Sequence, residues 1–340
     1  MCCLYFLGLQ SAISHVPLEN RALLPLLNAL PSVLVHSRAD NTVENYYYAF
    51  QSWDRWAKLY GLVSLPAQPV SLALYLLFRI QQGGTYAVCK GAVYGIKHIH
   101  KLHMASDPTE EPLVLSMLEA SKRLDTHVVV KREPITIDIL QKLYTTTVKG
   151  RGSLNDIRVM CFSILGYSGF LRYDELSSLR VCDIVFQPTH VRVFIEKSKT
   201  DQYRDGKWCY IANGDTELCP TKIIHLYLEK CGITDFTSDE YLFRAISKGK
   251  YYEKLRNKNK PISYTRVREI LLAALKEIGV DTKVFGTHSL RAGGATQAAN
   301  SGVPDRLFKK HGRWRSESAK DGYIKDNTEQ LLRVSRSLGL

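Results

Sequence analysis

Long apolar runs are missing from this chain of 340 residues. No stretch reaches the ~18 uninterrupted apolar residues that a membrane span needs. The longest candidate, Leu23 to Val35, is broken by Pro25, Asn28 and Pro31. Cysteines at metal-ligand spacing are missing as well. The eight cysteines form no C-x-x-C pair, and only Cys2 and Cys3 are neighbours, which argues against a structural zinc site. Scattered singly, they read as small buried residues in a reducing compartment. Met1 to Leu9 is apolar but lacks the positive n-region and small-residue cleavage site of a signal peptide, so secretion is not expected. Acidic charge is in short supply: 33 Asp and Glu face 46 Lys and Arg, a net charge of +13. Such a surplus suits a polyanionic partner, nucleic acid or anionic membrane. Against these absences, 45% hydrophobic and 23% charged residues are ordinary globular values. The length corresponds to about two domains.

The pattern along the chain supports that division. Residues 1–36 show only apolar bias and read as a tail or leading helix. From Asn41, with Glu44 three residues on as a capping-box signal, the residues Tyr46, Phe50, Trp53, Ala57 and Tyr60 recur on one helical face. Further helices are expected at about 70–82, 85–103 and 111–123, making residues 37–127 a small all-helical domain. Residues 128–134 read as a linker, with Pro134 disfavouring helix at Glu133. Residues 135–340 then form the second domain. Helices are expected at about 136–148, 153–168, 220–231, 264–279, 287–300, 304–311 and from 328. They surround two β-type runs, 191–195 and 207–212, joined as a hairpin with Asp205-Gly206 in the turn. The fold class is mainly α with a small β-sheet.

The chemistry-bearing residues lie in this second domain. Arg172 and Glu175 stand three apart, as do His288 and Arg291, and on a helix the latter pair shares a face. Lys199 lies in the hairpin, and Tyr323 follows Trp314 by nine positions. Two guanidiniums can clamp the non-bridging oxygens of a phosphate, and a tyrosine hydroxyl can hold a covalent phosphoryl intermediate. Each feature alone has a plainer reading. An Arg–Glu pair can be a surface ion pair, a tryptophan can be core, and a hairpin lysine can be solvated. Their order and spacing on a basic chain make the stronger case.

In that order and spacing the chain resembles the tyrosine recombinases, of the Cre and Xer types. The run His311 to Lys325 is similar to recombinases of eukaryotic DIRS-like or Crypton-like mobile elements. The resemblance spans about residues 37–335. It implies a helical core-binding domain followed by a catalytic domain. It also implies a catalytic set of Arg172, Lys199, His288, Arg291, Trp314 and Tyr323, with Glu175 in support. Tyr323 would be the nucleophile, His288 the base or proton relay, and Lys199, or Lys197 two residues before it, the acid. Expected DNA contacts in the first domain are Thr42, Lys90 and Lys97. The implied partners are double-stranded DNA and three further copies in a homotetramer on paired sites, with no membrane. No metal or cofactor is expected, and the location would be the nucleus if the source is eukaryotic. A domesticated DNA-binding derivative is the alternative, and type IB topoisomerases share the chemistry. The stretch from Arg291 to Ala298, followed by Ser301-Gly302 and Pro304, also resembles a helix-turn-helix. Its five Gly and Ala residues favour internal packing.

Overall fold

The computed structural model describes residues 22–103, 105–127, 131–198, 205–250 and 252–339. The chain divides into two compact units, Met1–Val129 and Val130–Leu340. In the first, helix α1 (Leu24–Val35) precedes four more: α2 (Asp40–Leu59), α3 (Pro69–Gln81), α4 (Tyr86–Leu102) and α5 (Pro112–Leu124). Proline opens α3 and α5 at the first helical position, where its missing N–H costs nothing. Helix α2 begins one residue before the expected cap. Ala39 is its N-cap and no side chain caps it, so Asn41 lies inside the first turn. The apolar stripe of α2 buries Phe50, Trp53 and Ala57 against Leu72, Leu76 and Ile96. Tyr60, at the end of the stripe, stays exposed.

The second unit opens with α6 (Ile137–Tyr144) and α7 (Leu154–Ser168). Short helix α8 (Tyr173–Ser178) leads to an antiparallel sheet of β1 (Ile184–Phe186), β2 (His190–Ile195) and β3 (Lys207–Ala212), in that order. In β2 the alternation holds: Val191, Val193 and Ile195 are buried while their neighbours are half-exposed. The β2–β3 pairing runs from His190 opposite Ala212 to Ile195 opposite Lys207. Gly206 enters β3 with φ +67°, a conformation open to glycine without strain. The remaining elements are α9 (Pro220–Cys231), the hairpin β4 (Ile246–Lys248) and β5 (Glu253–Leu255), α10 (Tyr264–Glu277), α11 (His288–Asn300), α12 (Asp305–Gly312), α13 (Glu317–Asp321) and α14 (Thr328–Arg336). Helix α7 is buried over nearly its whole length and forms the centre of this unit. Of the segment expected as linker, residues 128–130 lie outside the described residues; at its end Glu133 N–H bonds Val284 O at 2.8 Å, and just past it Ile135 N–H bonds Ser289 O at 2.9 Å. No helix among the described residues is long and apolar enough to cross a membrane. The six cysteines among them are free thiols.

One buried group in the first unit makes its stability depend on pH. His100 is fully buried, its Nε2 accepts the Ala67 N–H at 2.8 Å, and its Nδ1 faces Ile96 O at 2.8 Å. The ring is therefore neutral with the proton on Nδ1, because a second proton would point at an N–H. Burial depresses both His100 and His98 below the ordinary value of 6.5. The unfolded chain then binds more protons than the folded one as the solution is acidified. This contribution is present above about pH 6.5 and is lost progressively as pH falls below it, through the depressed folded-state value. The protection factors of α4 in the full chain, taken relative to the intrinsic exchange rate at each pH, should fall between pH 7.5 and 5. His100→Gln, which keeps an acceptor, should flatten that dependence, and an unchanged profile would show that His100 is not its source.

Candidate active site

The site starts from a helix terminus. Arg172 is the N-cap of α8 and Glu175 its third residue, so Glu175 Oε2 reaches back to the Arg172 backbone N–H at 3.0 Å. This capping-box geometry explains the three-residue spacing. The same carboxylate holds the Arg172 side chain, Nη1 to Oε1 at 2.8 Å. Glu175 is almost fully buried, whereas Arg172 retains 11% of its side-chain surface.

Arg291 comes from α11, three residues after His288, which opens that helix and is exposed. Two glycines let α11 approach closely. A Cβ on Gly293 would stand 2.0 Å from Ile135 O, and one on Gly294 would stand 2.0 Å from Tyr167 O. The small-residue face is thus an internal packing face. Arg291 is completely buried. Its terminal nitrogens bond Phe170 O and Gly312 O, the latter at 2.5 Å, and Nη1 lies 3.9 Å from Glu175 Oε2.

Tyr323 and Trp314 close over this guanidinium. Arg291 Cζ is 4.6 Å from the Trp314 ring and 4.9 Å from the Tyr323 ring, both within cation–π range. Trp314 packs with Phe170 and Phe308 in a small cluster separate from the main core, and half-buried Tyr323 borders it. The His288 and Tyr323 rings lie nearly parallel, 6.4 Å apart. Helix α13 positions Tyr323 through the Tyr323 N–H bond to Lys320 O, 3.0 Å. The Trp314 indole N–H is buried without a partner, so here the ring contributes packing and stacking rather than an open donor.

Arg172, Glu175, His288, Arg291, Trp314 and Tyr323 therefore belong to one neighbourhood. Lys199 lies outside the described residues. Lys197 is exposed just past β2. In the first unit, Thr42 is half-buried in α2. Lys90 stands 5.7 Å from both the Tyr86 and Tyr94 rings, and Lys97 is held by Glu110 at 2.5 Å and Asp107 at 3.4 Å. Two carboxylates already offset the Lys97 charge. Sequence reasoning gave no role to Arg313, which is 4% exposed and bonds Glu175 Oε2 at 3.0 Å. Its only local signal was its place beside Trp314. Among the described residues no three His, Cys, Asp or Glu side chains gather as metal ligands would.

The electrostatics follow from this crowding. Burial works to raise the Glu175 carboxyl, but Arg313, Arg291 and Arg172 outweigh it and hold it below the ordinary carboxylate range. Burial, followed by the like charge of Arg172, pushes Arg291 down to about 9, with Glu175 acting the other way. Three guanidiniums around one carboxylate leave the pocket short of negative charge, a deficit that a phosphodiester can fill.

Residues 134–330 match the phage integrase family. That is more than half of the chain, and the chain belongs to this family, the tyrosine recombinases. A curated relative, the integrase/recombinase xerD homolog of Selenomonas ruminantium, is 25% identical over 298 residues, covering 86% of this chain and 83% of its own. Among solved structures, the XerH site-specific recombinase bound to palindromic difH substrate superimposes with a TM-score of 0.61 at 16% identity. The match covers 98% of this chain and 94% of that one. A lambda integrase dimer bound to a COC′ core site gives 0.53 at 17% identity, over 94% and 85%. These likenesses establish the fold. Family membership supports a part in site-specific recombination, with cleavage and rejoining of DNA strands.

Removing one charge tests the ion cluster. Glu175→Gln leaves two buried guanidiniums, Arg291 and Arg313, and the partly exposed Arg172 without their carboxylate and should cost about 3–5 kcal/mol of stability at pH 7, read by urea unfolding. Because the folded carboxyl is depressed, its contribution is present above about pH 4.5 and is lost as pH falls further. The gap between wild type and variant should therefore narrow in acid. A variant as stable as wild type at pH 7 would show that the cluster adds nothing to folding.

Proposed function

We propose that the chain is a site-specific DNA recombinase that cuts and rejoins strands through a 3′-phosphotyrosine at Tyr323. The observation behind this is the convergence of Tyr323, His288 and Arg291 with the Arg172–Glu175 pair, from segments more than a hundred residues apart in sequence. The Tyr323 oxygen attacks the scissile phosphorus, the bond to the 5′-oxygen breaks, and the phosphodiester energy stays in the new phosphotyrosine bond. His288 takes or relays the phenol proton, and Lys199 gives a proton to the departing 5′-oxygen. Arg172 is the guanidinium that reaches the surface and meets the phosphate. Arg291 adds its charge from beneath the Tyr323 ring. A second 5′-hydroxyl then attacks the phosphotyrosine and frees Tyr323. The substrate is double-stranded DNA, with Thr42, Lys90 and Lys97 as contacts from the helical unit and the nucleus as the location in a eukaryotic cell.

The reading includes a homotetramer on paired sites, since exchange of two duplexes takes four cleavages. A lambda integrase tetramer bound to a Holliday junction is similar in fold, with a TM-score of 0.57 at 16% identity over 94% of this chain and 85% of that one. Helix α14 exposes Leu331, Leu332 and Val334, and a nine-residue helix is marginal alone. An apolar cavity of about 530 Å³, lined by Trp208, Tyr210, Val303, Leu307 and Phe308, offers a matching surface on a second copy.

A suicide substrate with nicked target DNA tests the chemistry. The wild-type chain should become trapped as a covalent complex. Tyr323→Phe should form none while its duplex affinity stays near normal, because only the nucleophilic oxygen is lost. Binding without any trapping by wild type would instead identify a DNA-binding derivative, and an adduct in the variant would place the nucleophile elsewhere. Deleting residues 328–340 tests the assembly. Single-site binding should survive and synapsis of two sites should be lost, and full recombination by the truncated chain would refute the docking role of α14.

A further inference from the structure

Among the described residues, Phe170 and Arg313 are the two non-glycine residues with left-handed backbone, at φ 49° and 57°. They are bonded to each other, Arg313 Nη2 to Phe170 O at 3.1 Å. A glycine at position 313 would be free of this strain, and strained residues of this kind cluster at functional sites. What glycine lacks is the side chain. Arg313 Nη1 bonds His311 O at 2.8 Å, and both terminal nitrogens reach Gly169 O at 3.3 Å. Nη2 also bonds Glu175 Oε2 at 3.0 Å. With 4% of its side chain exposed, Arg313 has no reach to DNA.

Its place on Glu175 decides what Arg291 does. Glu175 Oε1 takes the Arg172 side chain, and Oε2 takes the Arg172 N–H and Arg313. Arg291 is left at 3.9 Å, beyond hydrogen-bond distance, with its terminal nitrogens on backbone carbonyls. With Arg313 gone, Oε2 would keep only the Arg172 N–H and have a lone pair free for a further donor. Arg291 could then close onto Glu175 as a neutralised pair. We propose that Arg313 is a positioning residue for strand cleavage: it occupies Glu175 so that Arg291 stays beyond hydrogen-bond distance of that carboxylate and keeps more of its charge for the phosphodiester. The proposal rests on the recombinase reading above.

The test is a double-mutant cycle between Arg313→Gly and Glu175→Gln on the full chain, read by single-turnover trapping on the nicked substrate at saturating DNA. Arg313→Gly should slow trapping about tenfold or more, with duplex affinity within about twofold, because neighbouring charges couple on that scale. In the Glu175→Gln background Arg291 has no carboxylate to close upon, so the same change should cost about threefold or less. Arg313→Lys, which keeps the charge, should stay closer to wild type than Arg313→Gly, and it takes the place of the glycine variant in the cycle if that variant does not fold. Equal slowing in both backgrounds would overturn the proposal, since the effect of Arg313 would then not pass through Glu175. A change confined to duplex affinity would overturn it as well. If wild type forms no adduct, the recombinase reading fails separately. The cycle is then read on urea unfolding, where non-additivity supports the Arg313–Glu175 coupling and additivity removes it.

Discussion

The catalytic unit depends on one buried carboxylate. Glu175 caps the helix that begins beside Arg172, binds the Arg172 guanidinium and anchors Arg313. Without it, Arg291 and Arg313 would share the interior with only carbonyl oxygens for partners, beside the partly exposed Arg172. Buried charges persist only when paired and hydrogen-bonded, so Glu175 permits the cluster to exist at all. A carboxylate at the third helical position also satisfies an orphan N–H. One residue therefore serves helix initiation and site assembly, and the two demands fix its spacing from Arg172.

The second constraint is how close α11 stands to its neighbours. Arg291 reaches Phe170 O and Gly312 O because the helix backbone passes next to Tyr167 and Ile135, where only glycine fits. Across the same gap, the aromatic cluster of Phe170, Phe308 and Trp314 sets the surface against which Tyr323 rests. The nucleophile candidate is thus located by packing, through a small cluster outside the main core.

Long periodic elements were legible in the sequence because each turn repeats the same signal. The stripe Phe50, Trp53, Ala57 buried as its spacing implied, and β2 alternated as Val191, Val193 and Ile195 implied. Helix α8 and strands β1, β4 and β5 were not legible, since three to six residues contain too little repetition. The cap at Asn41 misled because any polar residue ahead of an apolar stripe gives that signal, while Ala39 turned extended first. In the site, paired spacings such as Arg172–Glu175 and His288–Arg291 could be read directly. Arg313 could not, for its partner Glu175 lies 138 positions away, and left-handed backbone at an arginine has no sequence signature.

Charge links folding to DNA. The site packs three guanidiniums around one carboxylate, and Arg291 is pushed down to about 9 by burial and by Arg172. The unliganded fold therefore bears an electrostatic cost that a bound anion relieves. Anything that binds the folded state alone stabilises it in proportion to its affinity. A phosphodiester beside Arg172 would do this, and it would also ease the repulsion that Arg172 exerts on Arg291. The overall surplus of +13 acts differently: spread over the surface, it raises the encounter rate with a polyanion and weakens with salt. The buried surplus is screened far less, and in the proposed reading its counter-charge would be the phosphate beside Arg172. In the recombinase reading proposed above, steering and chemistry are separated, with exposed lysines and arginines serving the approach and the Glu175 cluster serving the phosphate in place.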